Sequence, residues 1–294
     1  MKYPVLFAGL FLLCVTPLIP QSLDVMEVVE DEWQIIAENC DFPEGPAFDG
    51  QRNLYFSNCY GRWIAKWDSE TTTVFLDFKH DTSVVNRTNG LAFKDGFLYA
   101  CEYGNGSIVK IDENANAEIL ASGFRGVRFN RPNDLVFDKN GILWFSDPKS
   151  YNREILDGRL FRLDPESGEV ELMFSGLGFP NGLNFSPDGK YLYLSESAFQ
   201  RVLKFEMRAD GTLAAPKVLV ELPGGDPDGI EVDQDSNLYI AHFGGKAIYK
   251  VSPEGELLIK FSTPGKKPSN VELIKGRLFI TECERNKLYS IQTK

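Results

Sequence analysis

Pro43-Glu44-Gly45, Thr88-Asn89-Gly90, Pro132-Asn133-Asp134, Pro180-Asn181-Gly182, Pro227-Asp228-Gly229 and Pro268-Ser269-Asn270 are six versions of one phrase, and their spacing decides the fold. Their middle positions stand 45, 44, 48, 47 and 41 residues apart. Each version opens an apolar alternation, followed by a turn built on Gly, Asp or Asn and then a second apolar stretch. Those second stretches are Leu54-Tyr55-Phe56, Leu98-Tyr99-Ala100, Leu143-Trp144-Phe145, Leu192-Tyr193-Leu194, Leu238-Tyr239-Ile240 and Leu278-Phe279-Ile280. A unit of that length with several short strands cannot bury its apolar faces alone; it needs a like neighbour on each side. The reading is therefore all-β: a six-bladed β-propeller.

Working outward, the strand after each phrase is the innermost of its blade and the Leu-led stretch is the second. Alternations such as Trp63-Ile64-Ala65-Lys66-Trp67 and Ile108-Val109-Lys110-Ile111 supply a third strand, and weaker segments such as Val74-Phe75-Leu76 a fourth. The last unit ends soon after its third strand, near Ile291, while Trp33 to Ala37 form a strand with no blade of their own. Pairing that early strand as the outer strand of the sixth blade closes the ring and removes two exposed sheet edges. The propeller is expected over residues 23–294 as a single domain.

Residues 1–22 read differently. Lys2 gives a small positive start, Val5 through Val15 is an apolar run, and Pro17 and Pro20 break it. This is the pattern of a secretory signal peptide, with a retained N-terminal anchor as the alternative, so the expected destination is secreted or periplasmic. Removal of the leader takes Cys14 and leaves Cys40, Cys59, Cys101 and Cys283. An even number permits disulfides, such as a Cys40–Cys283 staple of the chain ends; the alternative is four small buried hydrophobes. A net charge of −11 argues against nucleic acid or an anionic membrane surface as partner. Nothing in the sequence sets an oligomeric state.

In a propeller all innermost strands begin at one face, so the middle residues of the phrases should gather at the mouth of the central channel. They are Glu44, Asn89, Asn133, Asn181, Asp228 and Ser269, each with a side-chain oxygen. Oxygen donors without His or Cys suit a hard cation. Two carboxylates match a divalent charge, and four protein ligands leave positions open for water or substrate. The alternative is that these Asn and Asp residues only make turns into the strands. A second ring, Asn58, Glu102, Asp147, Glu196, His242 and Glu282, closes the second strands and should form a polar collar that supports the ligands, contacts substrate or caps strand ends. With only His80 and His242 in the chain, a Ser-His-Asp triad is nearly excluded by supply.

The phrases Phe42-Pro43-Glu44-Gly45-Pro46, Arg131-Pro132-Asn133-Asp134-Leu135, Phe145-Ser146-Asp147-Pro148, Pro180-Asn181-Gly182-Leu183 and Pro227-Asp228-Gly229 resemble the gluconolactonase family, which includes regucalcin (senescence marker protein) and luciferin-regenerating enzyme. The resemblance runs over about residues 33–292. It implies one catalytic divalent cation, usually calcium, and hydrolysis of lactones. It assigns Glu44, Asn181 and Asp228 as metal ligands, and Asn133 as a position that holds metal in some relatives and substrate in others. Arg131 matches a substrate contact of sugar-lactone members. Paraoxonase and diisopropylfluorophosphatase share the axial Glu, Asn, Asn, Asp set, but paraoxonase's histidine pair has no match here. Gly229 replaces a further polar ligand found in some relatives.

The expectation is thus an exported, calcium-dependent lactonase acting on a (sugar) lactone, with magnesium, manganese or zinc as other possible ions. Glu44, Asn133, Asn181 and Asp228 would hold the metal. Asp228 would serve as general base with His242 or a collar carboxylate as its substitute, and Arg131, Asn133 and Asn89 would contact the lactone. A phosphotriesterase-like hydrolase using the same metal, and a non-catalytic extracellular binding platform with structural calcium, are the competing readings.

Overall fold

The computed structural model describes residues 25–28, 32–79 and 84–293. The leader read at residues 1–22 and His80 lie outside the described residues. Two strands precede the first repeat: β1 (Met26–Val28) and β2 (Gln34–Ala37). Blade one is β3 (Pro43–Phe48), β4 (Leu54–Asn58), β5 (Trp63–Trp67) and β6 (Thr72–Asp77). Blade two is β7 (Thr88–Lys94), β8 (Phe97–Glu102), β9 (Ser107–Ile111) and β10 (Ala117–Ala121), followed by a small hairpin of β11 (Gly123–Phe124) and β12 (Val127–Arg128). Blade three is β13 (Leu135–Phe137), β14 (Leu143–Asp147), β15 (Gly158–Leu163) and β16 (Val170–Leu177). Blade four is β17 (Pro180–Phe185), β18 (Tyr191–Glu196), β19 (Arg201–Glu206) and β20 (Lys217–Glu221). Blade five is β21 (Asp226–Val232), β22 (Leu238–Phe243), β23 (Ala247–Val251) and β24 (Leu257–Ser262). Blade six is β25 (Pro268–Ile274), β26 (Arg277–Glu282) and β27 (Lys287–Gln292), completed by β2. The molecule is a six-bladed β-propeller.

The core lies between blades. One cluster joins Ile64 of blade one to Ala100 and Val109 of blade two; the next joins Cys101 and Ile108 to Phe145 and Phe161 of blade three. The series continues round the ring to Leu54 and Phe56 against Phe279 and Leu288, which seals blade six to blade one. Inner strands are covered on both faces, which is why the Leu-led stretches are apolar without interruption. Leu143, Trp144 and Phe145 are fully buried, and burial of each such side chain contributes about 1.5–3 kcal/mol.

Ring closure follows the expected route. Gln34, Ile35 and Ala37 pair antiparallel with Ser290, Tyr289 and Leu288. A second tie was not legible beforehand: β1 runs parallel to β24, Met26 opposite Ile259 and Val28 opposite Phe261. Glu27 accepts from Lys260 Nζ at 2.9 Å and Ser262 Oγ at 2.7 Å, and Trp33 Nε1 donates to the Ser262 carbonyl at 2.8 Å. The early chain therefore straps blade five and then completes blade six.

The Cys40–Cys283 staple is not formed. Cys40, Cys59, Cys101 and Cys283 are all free and buried. Cys40 packs with Leu54, Phe56 and Leu288, where burial pushes its thiol up to about 12. Backbone pairing does the joining instead, helped by Cys40 N donating to the Asn286 carbonyl at 3.1 Å.

Candidate functional site

Each phrase interrupts strand pairing where it enters the channel. The register breaks between Glu44 and Ala47, Thr88 and Leu91, Pro180 and Leu183, Pro227 and Ile230, and Pro268 and Asn270. An extra residue in one strand bends it and re-aims its side chains, the usual effect of a β-bulge. In blade three the strand proper starts only at Leu135; Asn133 and Asp134 are held instead by Ser146, through Asn133 N to the Ser146 carbonyl at 2.9 Å and Asp134 N to Ser146 Oγ at 3.1 Å.

The collar holds these phrases in place. Each collar residue reaches the loop that leads into its own blade's phrase. Asn58 Oδ1 accepts from Asp41 N at 2.9 Å, Glu102 Oε1 from Asn86 N at 2.9 Å and Arg87 N at 3.0 Å, and Asp147 Oδ1 from Arg131 N at 2.8 Å. Glu196 Oε1 accepts from Gly178 N and Glu282 Oε1 from Lys267 N, both at 2.8 Å. In blade five His242 Nε2 donates to the Leu222 carbonyl at 2.9 Å. Of the roles open to the collar, the structure thus gives it the tying of strand ends. The tethered backbone lies two or three residues before Glu44, Asn89, Asn133, Asn181 and Ser269, so the ties fix where those side chains sit.

One residue beyond each mouth residue the channel is closed. Gly45, Gly90, Gly182 and Gly229 bring backbones together there; a Cβ on Gly90 would lie 2.2 Å from Asp134 Oδ1, and one on Gly229 would lie 2.0 Å from Asn270 Oδ1. Asn270 Nδ2 donates to Asp134 Oδ2 at 3.1 Å, a buried bond across the axis between opposite blades three and six. Below it is a second cavity of about 250 Å³, lined in part by Asp134, Asn184, Glu231 and Glu272.

Above that floor is a cavity of about 210 Å³ that brings together Glu44, Asn89, Asn133, Asn181 and Asp228. All five are buried. Burial, then the charge of Asp134, raises the Glu44 carboxyl to about 8. Asp228 is held well above the carboxylate range, by burial first and by Glu44 second, while a hydrogen bond from the Asn181 side chain pulls the other way. Ser269, the sixth ring member, is turned aside: its Oγ donates to the Pro43 carbonyl at 2.8 Å and it does not line the cavity. Arg131 stands at the rim, exposed, with its guanidinium on Tyr103: Nη1 is 3.3 Å from the phenol oxygen and the cation lies 5.7 Å from the ring centroid.

His242 is not among the lining residues. Its ring is 1 % exposed, engaged with Leu222 and covered by Gly245, where a Cβ would stand 1.8 Å from Nδ1. Burial also lowers its pKa. The sequence reading missed the walls of the cavity: Phe42, Tyr60, Tyr103, Tyr151, Phe179 and Phe243, together with Asp226. A signal existed for five of the aromatics, because each flanks a phrase or a collar residue by one or two positions. Phe42 and Phe179 both have left-handed backbones, φ 55° and 57°, an uncommon state for bulky residues that persists only when the surroundings impose it. Their carbonyls are pinned alike, by Cys59 N at 3.0 Å and Ser197 N at 3.1 Å.

A divalent cation is the group this donor set fits. Among the described residues no three His, Cys, Asp or Glu side chains gather as metal ligands. The mouth instead combines two carboxylates with neutral amides, all oxygen donors, as a hard cation prefers. Burial raises both carboxyls, and the charge of Glu44 raises Asp228 further, an imbalance that a cation would relieve.

The family described as SMP-30/Gluconolactonase/LRE-like region matches residues 42–284. The chain belongs to this family. A gluconolactonase of Zymomonas mobilis is 30% identical, over 87% of this chain and 78% of that protein. The pentonolactonase XacC of Haloferax volcanii is 29% identical, over 81% and 79%. The solved structure of a gluconolactonase from Xanthomonas campestris superposes with a TM-score of 0.79 at 30% identity, covering 89% of each chain. The family match takes in the phrases from Glu44 to Asn270 and the whole collar.

Proposed function

We propose that this protein is a calcium-dependent lactonase, exported by the leader read at residues 1–22. The observation that carries the reading is the convergence of Glu44, Asn133, Asn181 and Asp228 on one cavity. The lactonase names of its 29–30% identical relatives support it. These four side chains would hold the cation, which when bound supplies the Lewis acidity that polarises the lactone carbonyl.

The chain's own residues do the rest. Asp228 accepts a proton from the attacking water. The water oxygen bonds to the acyl carbon, the ring carbon–oxygen bond breaks, and the proton passes to the departing ring oxygen, leaving a hydroxy acid. Asn89 and rim-standing Arg131 orient the lactone, while the aromatic walls limit water in the cavity. His242 has no part in this scheme, because it faces Leu222. The test measures hydrolysis of a panel of sugar and aryl lactones with calcium, after chelation, and in Asp228→Ala. Calcium should restore the activity that chelator removes, and Asp228→Ala should lose at least a hundredfold, the lower end for a missing general base. Full activity after chelation or in the variant refutes the proposal.

A further inference from the structure

We infer that the mouth selects a lactone with an apolar body, aryl or alkyl, over a polyhydroxylated one; the inference rests on the lactonase reading and names its substrate class. The walls form two aromatic banks. On one side Phe42 lies between Tyr60 and Phe243, with ring centroids 4.4 and 6.4 Å away. On the other, Tyr151 meets Phe179 edge-on at 5.4 Å. Phe42 and Phe179 occupy the same position in opposite blades one and four, each just before the proline of its phrase, and each on the left-handed backbone described above. Two equivalent rings presented across a mouth from opposite sides make apolar walls for a flat or hydrocarbon group.

The second bank is fixed in place. Tyr151 Oη donates to Asp226 Oδ1 at 2.7 Å, which joins the long loop of blade three to the first strand of blade five over the cavity. Arg153 Nε in that loop donates to the Ala198 carbonyl at 2.6 Å, and Ser150 bonds Asp157 through both N and Oγ, at 3.0 and 2.8 Å. Walls built in this way are present before substrate arrives, so little ordering is needed on binding.

Most of the polar side chains that line the cavity are already engaged. Of the polar side chains that line the cavity, Glu44, Asn133, Asn181 and Asp228 belong to the proposed cation site. Asp226 Oδ1 is occupied by Tyr151, and Ser197 Oγ donates to the Pro227 carbonyl at 2.8 Å. Asn89, the second oxygen of Asp226, the phenol groups of Tyr60 and Tyr103, and the rim Arg131 are left. A sugar lactone would bring several hydroxyls against aromatic faces, and each hydroxyl stripped of water without a new partner costs affinity. An aryl or alkyl group instead gains by leaving water.

The experiment compares kcat/KM for 3,4-dihydrocoumarin and glucono-δ-lactone on the full protein in calcium, with Tyr60→Ser as the variant. Tyr60 is exposed, so its loss leaves the core intact. The aryl lactone should be preferred at least tenfold, and Tyr60→Ser should lower its kcat/KM several-fold more than that of the sugar lactone. Preference for glucono-δ-lactone, or an equal loss on both in the variant, overturns the inference and leaves the lactonase reading standing. Turnover of neither, with calcium bound, overturns both.

Discussion

Replacing Glu102 by Gln tests whether the collar holds the mouth together. Glu102 is fully buried and accepts from four backbone N–H groups: Asn86 at 2.9 Å, Arg87 at 3.0 Å and Gly104 at 3.2 Å on Oε1, and Asn105 at 2.7 Å on Oε2. The amide of Gln is nearly the same size but has one acceptor. Its oxygen can keep the first three bonds, now without ionic character, while its NH2 meets the Asn105 N–H donor to donor. A hydrogen bond to a charged group contributes about 1.5–3 kcal/mol, and ionised partners roughly double a bond's strength. The expected loss is therefore about 3–5 kcal/mol, read as a fall in Tm on the order of 10 °C. Urea unfolding measures it against Glu118→Gln, whose exposed pair with Lys110 spans 3.8 Å and whose loss should cost about 0–1 kcal/mol. The tethered segment runs directly into Asn89, so the variant should also raise KM. A Glu102→Gln protein within 1 kcal/mol of the parent would show that the collar ties contribute little and do not hold the mouth together.

Two further expectations concern titratable groups off the mouth. In the lower cavity Glu231 is raised to about 7, by burial first and also by the charge of Asp134, with Glu272 beside it raised further by burial and by Glu231. An acid whose folded pKa exceeds its unfolded one stabilises at pH below the unfolded value and loses that contribution as pH rises through the folded value. Stability should thus decline between about pH 5 and pH 8 by an amount on the order of 2 kcal/mol from this group, and Glu231→Gln should flatten the profile; parallel Tm curves for both proteins would contradict it. For His242→Gln, the pH dependence of kcat/KM on a lactone should match the parent's while Tm falls, because the ring is a strut to Leu222. Loss of one limb of the profile would instead make it a proton carrier.

The parts of this molecule legible in the sequence are those written into every repeat. The six phrases set the blade count, and the Trp33–Ala37 segment pointed to the closing pair because a ring of blades leaves a strand unaccounted for. Five of the six mouth residues do meet at one cavity. Ser269 does not, because its short hydroxyl finds the Pro43 carbonyl of the next blade, a contact 226 residues away in the chain. The collar's task was ambiguous since a carboxylate at a strand end serves ligand, substrate or backbone equally well on paper; only the bonded N–H groups decide it. Five of the aromatic walls flank a phrase or a collar residue, a position that does not tell where a ring will point, and the sixth, Tyr151, comes from a loop outside the repeat. The four buried thiols look like disulfide partners by number alone, and packing made them hydrophobes.

The Asn270–Asp134 bond across the axis turns the mouth into a blind well. Reactant and spent product must share one doorway, so a new molecule cannot push the old one out at the far end. The proposed product carries a carboxylate, and the base of the well has Glu44 and Asp228. If the proposed cation's charge is matched by its ligands, no net attraction would hold that anion back, which would tie turnover to the balance of charge at the ion and to the ease of leaving past Tyr60 and Tyr151.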